Sequence, residues 1–190
     1  MKFRKLILVF LAVTLVGCAS PNMRYSVPAE GPVASSSNKA LVYFLRPQKM
    51  GFAISAAVYD DEKFIGFIPY GQKLPYLAEP GEHRFMVVSE AADFLAADLA
   101  PGKTYYINVT PRMGAWRARF SMAPITKEML TKPKIQTWIS NARLIDNKEN
   151  AQEWASKNAE SVWEKRTEYL KKWNQKAAED RPYLKIDDCE

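Results

Sequence analysis

The sequence predicts a mainly β protein: an antiparallel β-sandwich over residues 39–122, followed by a long C-terminal amphipathic α-helix over residues 148–180. Three observations carry that prediction. Between residues 40 and 122, short runs of β-branched and aromatic residues alternate with Pro/Gly and acidic turns, which is the spacing of a sandwich or small barrel. From about Lys148 the apolar residues change to the three-and-four step of a helix. The length of 190 residues, with 47 % hydrophobic and 12 % aromatic content, suffices for one packed domain plus an appendage.

Residues 1–17 read as a signal segment. Lys2, Arg4 and Lys5 make a basic start, Leu6 to Val16 is an apolar run broken only by Thr14, and the small residues Gly17 and Cys18 close it. Eleven residues at about 1.5 Å each fall short of a hydrocarbon core about 30 Å thick. The run Leu15-Val16-Gly17-Cys18 resembles the lipobox of bacterial lipoproteins. That resemblance implies cleavage between Gly17 and Cys18, a diacylglycerol on the Cys18 thiol and a further acyl chain (palmitate or similar) on its amine. Ala19, not an aspartate, follows the cysteine, so the implied address is the outer membrane, with the body facing the periplasm. Residues 18–38 contain Pro21, Pro28, Gly31, Pro32 and Ser35-Ser36-Ser37, and read as a lipidated N-terminus and flexible tether that lifts the folded part off the bilayer. Loss of Lys2, Arg4 and Lys5 lowers the formal charge from +6 to +3. With no basic and aromatic cluster, nucleic acid is not an expected partner.

The strands follow in order. Ala40 to Leu45 stops at Arg46-Pro47, Ala53 to Tyr59 ends in the polar turn Asp60-Asp61-Glu62-Lys63, and Phe64 to Ile68 comes next. Leu74 to Leu77 precedes the Pro80-Gly81 turn, and Glu82 to Val88 follows it. Phe94 to Leu99, the Pro101-Gly102 turn, Thr104 to Thr110 and Trp116 to Met122 complete the set. In each Pro-Gly pair the proline presets φ and the glycine supplies the positive φ of a type II turn. Residues 123–147 read as a bridging segment broken by Pro124 and Pro133, with Trp138-Ile139 and Leu144-Ile145 docking on the sandwich. In the helix, capped by Asp146 or Asn147, the residues Ala155, Ala159, Val162, Tyr169 and Trp173 form one stripe. At about 1.5 Å per residue it would be roughly 45–50 Å long, so part of it is expected to project beyond the sandwich. Residues 181–190 read as an acidic, frayed tail, with Cys189 alone once Cys18 carries lipid.

The order Val42-Tyr43-Phe44-Leu45-Arg46-Pro47, Tyr59 to Gly66, Pro80-Gly81-Glu82-His83 and Pro101-Gly102-Lys103-Thr104-Tyr105-Tyr106-Ile107 resembles a family of bacterial lipoproteins built on a domain of unknown function, itself similar to PEGA-type β-sandwiches. The resemblance covers residues 40–122 and implies an all-β sandwich on a lipid tether; it carries no catalytic residues over to this sequence.

Signals for chemistry are weak. Gly102-Lys103-Thr104 lacks the upstream glycine of a phosphate loop, since Ala97 stands there, and leads into a strand where a helix is needed. His83 is the single histidine, on a strand directly after a turn, and reads as structural before catalytic. Asp60-Asp61-Glu62 lacks calcium-loop spacing, and one His with one tail Cys is too few for zinc, so no metal is expected. The only attached group expected is the lipid on Cys18. Trp154, Trp163, Tyr169 and Trp173 are the candidate interaction residues: they either pack the helix on the sandwich or form an exposed stripe for a partner. The expected function is a non-enzymatic interaction or structural module that meets another envelope protein. The alternative is a small-ligand or peptidoglycan-binding module that uses Tyr70, Tyr76, Tyr105 and Trp116.

Overall fold

In the strand Ala40–Arg46 (β2), Val42 and Phe44 face one way while Tyr43 and Leu45 face the other, yet nearly the whole strand is buried. Alternation with burial on both sides requires cover on both faces. The computed structural model, which describes residues 26–31, 33, 36–115 and 118–190, shows that cover. Gly17, Cys18 and Trp116 lie outside the described residues.

Two sheets build the body. With β1 (Ser26–Pro28), β5 (Gln72–Ala78), β8 (Thr104–Arg112), β9 (Arg119–Pro124) and β10 (Arg143–Asn147), the first runs β1-β10-β5-β2-β8-β9. With β3 (Ala56–Asp60), β4 (Lys63–Ile68), β6 (Gly81–Val88), β7 (Ala92–Leu99) and β11 (Tyr183–Leu184), the second runs β11-β7-β6-β3-β4. Val42, Phe44, Val58, Phe85, Val87, Ile107 and Phe120 fill the space the sheets share. The short helices α1 (Lys127–Leu130) and α2 (Pro133–Asn141) bring Leu130 and Ile135 onto Leu45 and Tyr106 of the first sheet. On the second sheet, α3 (Glu149–Lys157) and α4 (Ala159–Gln175) bring Ala151, Val162 and Trp173 onto Tyr59, Phe67, Met86 and Phe94.

The strands expected between residues 40 and 122 are present, and Gly81 and Gly102 have the positive φ that their turns need (118° and 71°). The purely antiparallel expectation is corrected: β2 pairs with β8, β10 with β5 and β11 with β7, all in parallel. After β2 the chain crosses to the second sheet as β3 and β4, returns as β5 antiparallel to β2, crosses again as β6 and β7, and comes back as β8 on the other side of β2, running the same way.

Four further expectations are corrected. Residues 26–28, inside the expected tether, form β1 on the free edge of β10. The bridge contains, as α1, the short helical turn that Ile125 to Leu130 suggest, and beyond it α2 and β10, where only docking apolar pairs are expected. The single helix over 148–180 is two helices broken at Asn158 (φ −107°, ψ 8°), whose backbone N and side-chain Nδ2 both donate to the Trp154 carbonyl, at 3.0 and 2.8 Å. An asparagine side chain competes with helical backbone bonds in this way. The break lets α3 lie over β4 and α4 over β7, toward opposite edges of one face of the second sheet, so the helices lie along the body. Neither Asp146 nor Asn147 caps α3, because its N-cap position is Lys148. Asn147 instead donates to the Ile65 carbonyl (2.6 Å) and accepts from the Phe67 amide (3.3 Å). It fits there because residue 66 is glycine: a Cβ would sit 2.5 Å from its Oδ1.

The tail is not frayed. Leu184 is buried, Glu190 donates its backbone N–H to the Thr104 carbonyl at 3.0 Å, and Cys189 is half-buried opposite Tyr105. The Asp188 carboxylate accepts from the amides of Lys127 (3.0 Å) and Lys185 (3.1 Å). What reads locally as an acidic end is an acceptor for backbone donors distant in the chain.

Candidate functional site

The helix aromatics lie between α3/α4 and the second sheet. Trp154 meets Phe67 edge-on (ring centroids 4.8 Å), Trp163 meets Tyr59 (6.3 Å), and Tyr169 and Trp173 both meet Phe94 (5.1 and 5.7 Å). Trp173 is buried and the other three are half-buried. All four hold the helices to the sheet, and among the described residues they form no open stripe.

A groove of about 850 Å³ opens where α4 ends and the chain turns into β11. Its lining includes Arg84, Trp173, Glu179, Arg181, Tyr183 and Lys185, so three cations face one carboxylate. Local chain chemistry explains the geometry. Arg181 donates to the carbonyls of Asn174 (3.4 Å) and Lys176 (3.0 Å), two acceptors left over at the helix end. Its guanidinium lies 5.6 Å from the Trp173 ring centroid. Pro182 follows, and β11 then places Tyr183 outward and Leu184 inward. Arg84 (2.7 Å) and Arg166 (2.8 Å) share Asp61 Oδ1. Burial works to raise the Asp61 carboxyl, but the two guanidinium groups outweigh it and hold the group below the usual carboxylate range. Burial, with Asp98 and Glu82 nearby, raises the Tyr183 hydroxyl. The groove therefore offers an exposed ring with Lys185 beside it, while Arg84 is paired with Asp61 and Arg181 with two carbonyls; the ring and the lysine together suit an acidic, extended ligand.

A smaller cavity of about 310 Å³ lies beside the helix break. Its charged groups are engaged: Lys165 donates to the Ser89 carbonyl (2.9 Å) and Glu90 accepts from Arg119 (2.8 Å).

His83 forms a closed cluster elsewhere. Its Nδ1 lies 2.8 Å from Asp60 Oδ2 and its Nε2 2.7 Å from the Glu79 carbonyl. Both partners accept only, so the doubly protonated ring satisfies them. The Asp60 hydrogen bond raises the His83 pKa, against an opposing effect of burial. Tyr76 donates to Asp60 (2.9 Å), and the imidazole stacks on Phe85 at 5.5 Å. With both ring nitrogens committed, this is a structural ion pair.

Of the expected glycan site, Tyr76 and Tyr105 flank Val42 in the core that the two sheets share, so with Tyr70 they form no open site. Tyr105 is buried, accepting from the Ala100 amide and donating to the Ile186 carbonyl, both at 2.8 Å. Tyr76 belongs to the Asp60 cluster, and Tyr70 lies at the opposite end of the strands. Among the described residues no three His, Cys, Asp or Glu side chains converge as a metal site, and no helix is long and apolar enough to cross a membrane. Sequence reasoning missed Arg84, Arg181, Tyr183 and Lys185. The available signal was the alternation Arg181-Pro182-Tyr183-Leu184-Lys185, a short strand with one apolar side.

The chain matches no protein-family model, no curated protein and no solved structure.

Proposed function

We propose that this protein is a non-enzymatic lipoprotein of the bacterial outer membrane, facing the periplasm, that binds an acidic segment of another envelope protein. The anchor is lipid on Cys18, supported by the lipobox-like Leu15-Val16-Gly17-Cys18. The body is read as a β-sandwich of the lipoprotein family of unknown function, akin to PEGA-type domains. The observation that carries the binding role is the groove beside α4, where Arg84, Arg181 and Lys185 surround the exposed Tyr183. The enclosed His83 supports a non-enzymatic reading. The burial of Tyr105 and the engagement of Tyr76 by Asp60 count against the peptidoglycan alternative.

The test is crosslinking in intact cells with the full-length protein, beside Tyr183→Ala and Lys185→Glu. These residues are at the surface, so circular dichroism should be unchanged while capture of the partner falls by about tenfold or more. Undiminished capture would rule out the groove. Retention by purified wall material, with no protein captured, would replace the partner with peptidoglycan. In Cys18→Ala the acylated N-terminal peptide should be absent by mass spectrometry.

A further inference from the structure

Six large apolar residues are exposed among the described residues, and four of them, Met50 (54 %), Phe52 (61 %), Tyr70 (38 %) and Met113 (85 %), lie at one end of the strands. Their loops touch. The Gly71 amide donates to the Arg46 carbonyl (2.8 Å), a Cβ on Gly51 would lie 3.0 Å from the Ala118 Cβ, and Ser89 Oγ donates to the Ala118 carbonyl (2.8 Å). The loop end also holds the ion pairs Arg119–Glu90 and Arg112–Asp93, whereas the opposite end exposes no large apolar residue in its turns, which carry Lys39, Asp61, Glu62, Glu79 and Lys103. Isolated exposed apolar residues are ordinary, but four on adjoining loops are not.

The apolar tip is held outward. Arg46 is fully buried and donates to the carbonyls of Met50 (3.4 Å), Gly51 (2.6 Å), Ile54 and Ile68 (3.2 Å). Its guanidinium sits 4.5 Å from the Phe120 ring centroid. The backbone of loop 47–55 is thus fixed from beneath, with Met50 and Phe52 projecting and Lys49 exposed beside them.

The chain outside the described residues indicates what meets this end. Because β1 starts at Ser26, the link from Cys18 is eight residues long, a reach of at most about 28 Å. Ser26 pairs with Asn147, whose side chain reaches Ile65 and Phe67 in the middle of β4. Three or four strand residues, about 12 Å, separate that level from the loop end. A tether this short keeps the body against its own bilayer. β1 is antiparallel to β10, which is parallel to β5, so the link enters at Ser26 from the turn-end side and folds back along the body for the loop end to meet the bilayer; the apolar end with a lysine beside it is the one that suits lipid.

We infer that the loop end is a membrane-contact face, with Met50, Phe52, Tyr70 and Met113 seated at the boundary between headgroups and acyl chains of the bilayer that holds the Cys18 lipid. This rests on the anchored reading above and deepens it. Aromatic and flexible apolar side chains suit that boundary, and Lys49 can reach lipid phosphates.

The experiment uses the full-length acylated protein in vesicles of phosphatidylethanolamine and phosphatidylglycerol with a photoactivatable acyl chain. Mass spectrometry then maps the lipid adducts. Adducts are expected on the peptides carrying Met50–Phe52 and Met113 and not on those carrying residues 61–63 or 101–103. The double variant Phe52→Ser/Met113→Ser should lower the yield at these loops about tenfold with unchanged circular dichroism. Adducts confined to the N-terminal peptide or the turn end would overturn the contact face and leave the anchor intact. An N-terminal peptide without acyl chains would overturn the anchored reading, and this inference with it.

Discussion

The two ends of the strands each bury a cation, and they neutralise it differently. At the loop end Arg46 is surrounded by backbone carbonyls and the Phe120 ring, with no carboxylate in contact. At the turn end His83 is paired with Asp60, which Tyr76 also engages. Burial lowers the Arg46 pKa to about 10, so it stays charged at neutral pH and its clamp on loop 47–55 is insensitive to pH in that range. His83 holds its proton through one carboxylate and one carbonyl, and its contribution depends on pH. A buried cation held by dipoles acts as a fixed scaffold, while one held by a titrating pair acts as a condition-dependent one.

The largest effect should come from Arg46→Ala. It removes the shared donor of one buried carbonyl (Ile68) and three half-buried ones (Met50, Gly51, Ile54), and stability to urea should fall by about 3 kcal/mol or more. A loss below about 1 kcal/mol would mean that the loop end does not depend on this clamp. Between the two ends, Trp173→Ala should cost about 3 kcal/mol in the same measurement, because it removes the buried one of the two α4 rings packed on Phe94. A stable Trp173→Ala protein that loses only its partner would return this residue to an interface role.

Asp60→Asn should cost about 2 kcal/mol near pH 6 and abolish the pH dependence of the turn end. The sign follows from the raised His83 pKa. Its contribution is complete below the unfolded value of about 6.5 and is lost as pH rises through the folded value. Urea midpoints should therefore fall from pH 6 upward in the natural protein through this pair, and the slope should flatten in Asp60→Asn. An unchanged slope would place the titration elsewhere. The smallest effect belongs to the exposed Glu153–Lys157 pair on α3: Lys157→Ala should cost less than about 0.5 kcal/mol, and a larger loss would contradict its solvent screening.

Legibility in the sequence followed the range of the forces involved. The runs Ala40–Leu45 and Thr104–Thr110 are β-branched and aromatic between turns, so their strands were readable. Ser26–Pro28 and Tyr183–Leu184 are too short for a pattern of their own and become strands because β10 and β7 offer them backbone partners. The helix break rests on one asparagine, and an asparagine is tolerated in many helices. The four helix aromatics were visible as a set, but which way they faced was not, because an amphipathic stripe looks the same against a sheet or a partner. Arg84 and Lys185, a hundred residues apart in the chain, line one groove only because β11 pairs with β7.

The sequence by itself determined the mainly β character, the turns and the helical change near Lys148, because these arise from local propensity and hydrophobic period. It also carries the lipobox-like run ending at Cys18, a pattern of adjacent residues. Only the tertiary structure decided the mixed sheets, the docked helices, the knitted tail and the contrast between the apolar and polar ends. Those depend on contacts between distant segments, where hydrogen-bond partners and buried area become available only once the chain has folded.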